Sequence, residues 1–116
     1  MSGIQFGQEM LDAIFDGHKT VTRRPVKKNS DGSEKPCRFK VGRTYSIQPG
    51  RGKKAVGRVK IKWTPHQELL GQISIDRALK EGFGDAAEFV DYWIKLYGGF
   101  DPYETVWVIE FELVAA

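Results

Sequence analysis

The order of its hydrophobic patterns is the feature that most restricts how this chain can fold. Apolar residues with helical spacing predict a first helix over about 7–16, and two more helices are predicted at about 75–81 and 86–97. Strand patterns occupy about 4–6, 19–24, 44–48, 55–63 and 105–114. Because helices do not alternate regularly with strands, few parallel βαβ units can form. The order therefore predicts an α+β domain, with a curved and largely antiparallel sheet or a small β-barrel and about three helices.

Two of the predicted strands have one-sided patterns. The strand at 55–63 alternates apolar and basic residues, so one face is expected in the core and the other as a row of positive charge. The core face would be Val59, Ile61 and Trp63, and the basic row Arg58, Lys60 and Lys62. In the last strand, the predicted buried face is Trp107, Ile109, Phe111 and Leu113.

Capping residues mark the predicted helix ends. Ser74 can cap one N-terminus, and Asp85 with Glu88 has the spacing of a capping box. Gly17 and Gly82 can end helices because glycine adopts left-handed backbone angles without steric cost.

Basic residues are concentrated in one half of the sequence. The 116 residues have a net charge of +3, but residues 17–67 hold 15 of the 18 lysines and arginines and only two acids. The rest of the chain holds three basic residues and 13 acids. Such a separation attracts polyanions to one face. The expected partner is a nucleic acid, RNA or DNA, or a nucleotide-derived ligand.

The composition suits one domain over residues 1–116. The lone Cys37 cannot form an internal disulfide and has no Cys/His cluster near it, so no metal or cofactor is expected. No apolar stretch is long enough to span a membrane, and the N-terminus does not resemble a signal peptide. These features favour a cytoplasmic protein without a membrane partner, and they do not indicate an oligomeric state.

The segment Gly17–Pro25 contains the first candidates for chemistry. Lys19 and Thr22 lie beside two arginines, and neighbouring cations can lower the pKa of a lysine and make it a better base. A plainer interpretation is a strand with solvated basic side chains. In a regular strand, residues 19 and 22 would point to opposite faces, so they converge only if Lys19 lies in the turn after Gly17.

Other candidates are less sharply defined by pattern. Arg23 and Arg24 could bind phosphate or an oxyanion, and Tyr45 could stack on a base. Glu81 ends a predicted helix and could serve as a general acid or base, but Glu68, Asp76 and Glu88 are equally available by composition. Expected electrostatic contacts to a nucleic-acid backbone are Arg43, Arg51, Lys53, Lys54, Arg58, Lys60 and Lys62.

The order of these motifs resembles the ASCH domain, a family of the PUA-like superfamily of small β-barrels. The similarity runs from Gly17-His-Lys-Thr-Val-Thr-Arg-Arg24 through Phe39-Lys-Val-Gly42 and Glu81-Gly-Phe83 to Val106-Trp-Val-Ile-Glu-Phe111. The resemblance implies RNA binding or hydrolysis of the acetyl amide of N4-acetylcytidine. In the hydrolytic reading, Thr22 is the nucleophile, Lys19 its base and Glu81 a proton shuttle. Arg24 matches a recurring arginine that helps to hold the ligand.

Two segments depart from the small amidohydrolases that this chain resembles. The polar loop at 26–38 looks longer and more basic, and the loop at 49–54 looks like an addition. Both would enlarge the positive surface beyond what a free nucleoside requires. A polymer substrate, a ribonuclease using the same pocket and a non-catalytic RNA-binding module therefore remain alternatives to nucleoside hydrolysis.

Overall fold

The computed structural model describes residues 3–114, which form one mixed sheet and three helices. The strands are β1 (Gly3–Gln5), β2 (Val21–Pro25), β3 (Thr44–Gln48), β4 (Gly57–Ile61), β5 (His66–Leu69) and β6 (Thr105–Leu113). The helices are α1 (Gln8–Phe15), α2 (Ile75–Lys80) and α3 (Ala86–Tyr97). The sheet order is β1-β3-β4-β6-β2, with β5 also on β6, and β1 and β3 pair in parallel while the other described pairs are antiparallel. This confirms the predicted α+β fold with a curved, mostly antiparallel sheet.

The helices end where the capping pattern predicts. The Ser74 hydroxyl accepts a hydrogen bond from the Arg77 backbone N–H at 3.3 Å. The Asp85 carboxylate accepts one from the Glu88 N–H at 2.9 Å. Gly82 follows α2 with φ of +98°, a left-handed conformation that strains other residues. These caps fix the directions of α2 and α3, which carry one wall of the site described below.

Two apolar clusters hold the fold together. The larger lies between α1 and the concave sheet and includes Ile4, Leu11, Ile14, Ile47, Val59, Ile61, Ile109 and Phe111. The smaller joins α2 and α3 to β6 through Leu70, Ala78, Phe89, Trp93 and Val106. Burying such side chains stabilises the folded state by roughly 1.5–3 kcal/mol each. The two clusters therefore fix α1 and α3 on the sheet.

Two predicted core positions are wrong. Trp63 is 60% exposed because β4 ends at Ile61 and the following Thr64-Pro65 turn leaves the sheet. Leu113 is 41% exposed at the end of β6.

β6 also differs from the predicted alternation of buried and exposed residues. Val106 and Val108 are buried as well as Ile109 and Phe111. The cause is that both faces of β6 are covered: Val106 packs against α2 and α3 in the smaller cluster, and Ile109 and Phe111 lie in the larger cluster. The sequence did not predict β5 (His66–Leu69), in which three of the four residues are polar and three are exposed.

The two ends of the sheet approach each other across an open seam. β1 and β2 are the outer strands, and the Arg24 guanidinium of β2 donates a hydrogen bond to the Gln5 carbonyl of β1 at 2.7 Å. A side chain, and not a backbone ladder, therefore spans this gap. The sheet is a half-barrel, and the seam opens onto the cavities described below.

Candidate functional site

A cavity of about 320 Å³ lies at this seam, between β2, the end of α2 and one face of α3. Lys19, Thr22 and Glu81 all line it, although Glu81 is about 60 residues away from the other two in the sequence. The three side chains are almost completely buried. The fold therefore brings together the three residues to which the ASCH resemblance assigns chemistry, and the interpretation of 19–24 as solvated charge is wrong, because Lys19 and Arg23 are buried.

Lys19 points into the cavity because it precedes the strand. β2 begins at Val21, and the turn after Gly17 returns the chain so that the Lys19 backbone N–H donates to the Ala13 carbonyl at 3.0 Å. The Thr20 N–H then donates to the Lys80 carbonyl at 2.8 Å, which joins this turn to the end of α2. Because Lys19 lies outside the strand, its side chain and that of Thr22 can face the same cavity.

A chain of alternating charges runs from the cavity toward the surface. The Lys19 ammonium donates to Glu81 Oε1 at 3.1 Å, and Arg23 Nη1 donates to Glu81 Oε2 at 2.7 Å. Arg23 Nη2 then reaches Glu68 Oε1 at 3.2 Å. Glu68 also contacts His66 at 2.9 Å and Arg77 at 3.5 Å. Buried charges are tolerated when they are paired and hydrogen-bonded in this way.

Glu81 is therefore held by a cation on each of its carboxylate oxygens. It occupies the C-cap of α2, where the helix dipole disfavours negative charge, and the two cations offset that penalty. Its own backbone carbonyl also accepts from Lys19 at 2.9 Å. By composition, four acids were equally possible as the catalytic carboxyl group. In the structure, Glu81 lines the cavity, and Glu68 binds the arginine that holds Glu81.

Burial lowers the pKa of Lys19 from its ordinary value near 10.5. Removal of water from the ammonium is the largest cause, and the attraction of Glu81 opposes it. The nearby Arg24 and Arg23 lower the pKa further but by less. The lowered pKa agrees in direction with the prediction, but burial has a larger effect than the neighbouring cations, and burial depends on the fold.

Thr22 and Arg24 form the other side of the cavity. Thr22 lies in β2 opposite Ile109 of β6, and its hydroxyl oxygen accepts a hydrogen bond from Arg24 Nη1. Arg24 also donates to the Arg23 carbonyl at 3.1 Å and lies 5.2 Å from the centroid of the Phe6 ring. Its guanidinium is thus fixed beside the threonine hydroxyl and at the mouth of the seam.

Aromatic side chains make up the wall that faces these polar groups. In α3 they recur at helical spacing, so they share one face, and successive ring centroids lie 4.4–5.8 Å apart. The rings are Phe6, Phe83, Phe89, Tyr92, Trp93 and Tyr97. The indole nitrogen of Trp93 is buried without a hydrogen-bond partner among the described residues. Sequence reasoning assigned this stripe to the core and did not foresee that it also lines a site.

Solved structures with the same architecture bear the family name that the motifs suggested. An ASCH domain from Lactobacillus crispatus superposes with a TM-score of 0.66 at 18% identity, covering 88% of this chain and 68% of that one. The fold is that of an ASCH domain. A protein from Enterococcus faecalis gives 0.65 at 18% identity, covering 98% and 80%. A variant of the Zymomonas mobilis ASCH protein gives 0.61 at 19% identity, covering 94% and 66%. No protein-family model and no curated protein sequence matches the chain.

Within this ASCH fold, two residues predicted to bind a ligand make contacts inside the protein instead. Tyr45 is buried in the larger apolar cluster, lies edge-on to Phe39, and its hydroxyl accepts from the Lys40 N–H at 2.8 Å. It lines neither cavity, so the expectation that it stacks on a ligand is not supported. Arg23 lines the cavity, but Glu81 and Glu68 hold its guanidinium. Arg23 therefore orients Glu81 and is poorly placed to bind phosphate.

The predicted backbone-contacting residues are all exposed and lie outside the cavity. Their side chains line neither cavity: Arg43, Arg51, Lys53, Lys54, Arg58, Lys60 and Lys62. In the strand row, Lys60 is paired in register with Glu112 of β6, and Lys62 lies 3.8 Å from Glu110. Acidic neighbours from β6 therefore reduce the positive charge of that row, which the linear sequence could not show.

Neither a metal site nor a membrane span is found among residues 3–114. No group of three or more His, Cys, Asp and Glu side chains there is arranged to hold a metal ion. No helix in the same range is long and apolar enough to cross a membrane.

Proposed function

We propose that this protein binds a cytidine nucleotide unit of RNA in the first cavity and hydrolyses the acetyl amide on its N4 atom. The observation that carries the proposal is the convergence of Lys19, Thr22 and Glu81, all three almost completely buried, on one aromatic-lined cavity. A nucleophile, a base with a lowered pKa and a carboxyl group in one pocket are the parts that amide hydrolysis needs.

The size and lining of the cavity fit a nucleoside. Its volume of about 320 Å³ lies at the lower end of the range for small-molecule pockets. Aromatic faces such as that of Tyr92 or Tyr97 can stack on a base, as single-stranded RNA modules do. The Trp93 N–H offers a donor that a carbonyl or ring nitrogen of the ligand can satisfy.

In the first step, Lys19 and Glu81 exchange a proton along their 3.1 Å hydrogen bond, giving an amine and a carboxylic acid. A ligand that excludes water favours this neutral pair. The Lys19 amine takes the hydroxyl proton of Thr22 as the oxygen attacks the acetyl carbonyl. Glu81 protonates N4 as the C–N bond breaks. The result is an acetyl ester on Thr22, free cytidine, an ammonium and a carboxylate.

Water completes the cycle by hydrolysing the ester. The Glu81 carboxylate accepts a proton from water as its oxygen attacks the ester carbonyl. The Lys19 ammonium returns a proton to the Thr22 oxygen as the ester bond breaks, and acetic acid leaves. The Arg24 guanidinium beside Thr22 supplies positive charge for the oxyanion formed in both steps.

The test is release of acetate from N4-acetylcytidine, free and within a short RNA. The proposal predicts that Thr22→Val lowers the rate at least roughly a thousandfold, because the nucleophile is lost while shape is kept. Thr20→Val is the matched control, since Thr20 lies two residues away and does not line the cavity. Wild-type protein that releases no acetate, or Thr22→Val with wild-type rates, would contradict the hydrolase.

A second candidate is an RNA-binding module without catalysis. It is favoured by the present contacts of Lys19, whose ammonium donates to three oxygens: Val21 O at 3.0 Å, Glu81 O and Glu81 Oε1. An ammonium has no lone pair with which to accept the hydroxyl proton of Thr22. The same assay separates the two, because a binding module would retain cytidine-containing RNA with neither acetate nor RNA fragments released. Fragments without acetate would instead indicate a ribonuclease.

A further inference from the structure

A second and larger cavity, of about 630 Å³, adjoins the first across the seam. Gln5, Arg24 and Tyr97 line both, so the two cavities share one wall. The second extends over β1 and both ends of the 26–38 segment, with Trp107 of β6 half-buried among its lining residues. A ligand that fills the first cavity and extends past Arg24 therefore enters the second.

Positive charge converges on this second cavity without compensation. Arg24, Lys27, Lys35 and Arg38 line it, and no lining residue is acidic. None of the four has an ion-pair partner within residues 3–114, whereas Lys28, a neighbour in the same segment, is paired with Glu34 at 3.5 Å. Unpaired cations around a concave surface raise the local concentration of anions.

The structure holds the two arginine side chains in place, and it holds the backbone that carries the two lysines. The Lys35 N–H donates to the Lys27 carbonyl at 2.8 Å, so a hairpin-like turn sets the two lysines side by side. Arg38 donates to the Gly3 carbonyl at 2.6 Å and lies 4.2 Å from the centroid of the Phe39 ring. Arg24 is fixed by its bonds to Thr22 and Gln5. Such preorganisation reduces the entropy lost when an anion binds.

We propose that the second cavity binds the phosphate and the adjoining nucleotide of a single-stranded RNA whose target base occupies the first. Arg24 lies at the wall that the two cavities share, Lys27 and Lys35 contact the phosphate, and the half-buried Trp107 offers a stacking surface. This inference rests on the proposed function for its ligand class. It makes an oligonucleotide, and not a free nucleoside, the preferred substrate.

The experiment compares the equilibrium binding of cytidine, cytidine monophosphates with the phosphate on the 5′ or the 3′ oxygen, and the trinucleotide UpCpU. The test variant is Lys27→Ala/Lys35→Ala, which removes two exposed cations with no ion pairs. The matched control is Lys40→Ala/Lys80→Ala, which removes the same charge at exposed positions outside both cavities. Circular dichroism and thermal unfolding establish that all three proteins are folded.

We expect wild type to bind UpCpU more tightly than either monophosphate, and at least one monophosphate more tightly than cytidine. The Lys27→Ala/Lys35→Ala variant should lose roughly tenfold in affinity for UpCpU and change little for cytidine. The control should stay within about twofold for every ligand.

Two results would overturn the inference while the proposed function stands. One is equal affinity of wild type for cytidine and for its phosphorylated forms. The other is an unchanged affinity of the Lys27→Ala/Lys35→Ala variant for UpCpU. A preference for one monophosphate with no gain for UpCpU would limit the site to a mononucleotide and overturn the RNA assignment. Failure to bind cytidine in any form would overturn the proposed function itself.

Discussion

Glu81 is the residue on which the electrostatics of the site depend. Its carboxylate is the counter-ion shared by two buried cations, Lys19 and Arg23, and Glu68 supplies a second negative charge to Arg23. Desolvation of these ions is costly, so the arrangement is weak evidence for stability and stronger evidence for a chemical role. In the proposed hydrolysis, the proton moves between the two members of the Lys19–Glu81 pair.

Replacing Glu81 should therefore cost far more stability than its single side chain suggests. We predict that Glu81→Gln lowers the free energy of unfolding by about 3–5 kcal/mol, because Lys19 loses its buried counter-ion. Urea unfolding followed by circular dichroism measures the change. Glu34→Gln is the control, since its exposed pair with Lys28 should be worth less than about 1 kcal/mol. Equal losses in the two variants would contradict this account.

At the scale of elements, the sequence predicts most helix and strand boundaries, but it misses a strand that forms only by pairing with another strand. The caps at Ser74 and Asp85 are local interactions, and they are found where the pattern places them. β5 escapes prediction because its four residues become a strand only by pairing with β6. The sequence assigns the aromatic face of α3 to the core, because an apolar stripe with helical spacing has the same sequence pattern whether it packs on the sheet or lines a cavity.

The junction between α2 and the Lys19 turn is the element-level contact most specific to the site. Gly82 has φ of +98°, and a Cβ there would lie 3.2 Å from Ala13 Cβ and 3.3 Å from Lys19 Cβ. Only glycine fits such a position without strain and displacement. The turn that ends α2 thus sets the distance between the Glu81 backbone and the lysine.

We predict that Gly82→Ala reduces acetate release strongly and destabilises the fold by at least about 1 kcal/mol. The matched control is Gly98→Ala, where φ is +85° but no atom lies within 4 Å of the added Cβ. The control shares the backbone strain and lacks the contact with Lys19. Acetate release measured beside thermal unfolding separates the two effects. Equal activity in the two variants would show that the close approach to Lys19 does not matter.

For the whole molecule, folding redistributes the charge separation seen in the sequence. Two of the 15 basic residues in 17–67, Lys19 and Arg23, turn inward and are buried. β6, which carries two glutamates, pairs with β4, so Glu112 lies directly opposite Lys60 on the neighbouring strand. Unpaired positive charge therefore remains mainly in the loops, and the row on β4 is a weaker anion surface than its spacing implies.

This redistribution predicts that the loop at 51–54 contributes more to RNA binding than the strand row. Each phosphate contact on a single strand adds about 0.7 to the slope of log affinity against log salt. Lys53→Ala/Lys54→Ala should reduce that slope by up to about 1.4, because neither lysine has an ion-pair partner among the described residues. Lys60→Ala/Lys62→Ala should reduce it less, because Glu110 lies 3.8 Å from Lys62 and already competes with phosphate. Fluorescence anisotropy of a labelled single-stranded RNA at several salt concentrations measures both slopes, and a larger effect from the strand pair would place the RNA on the sheet instead.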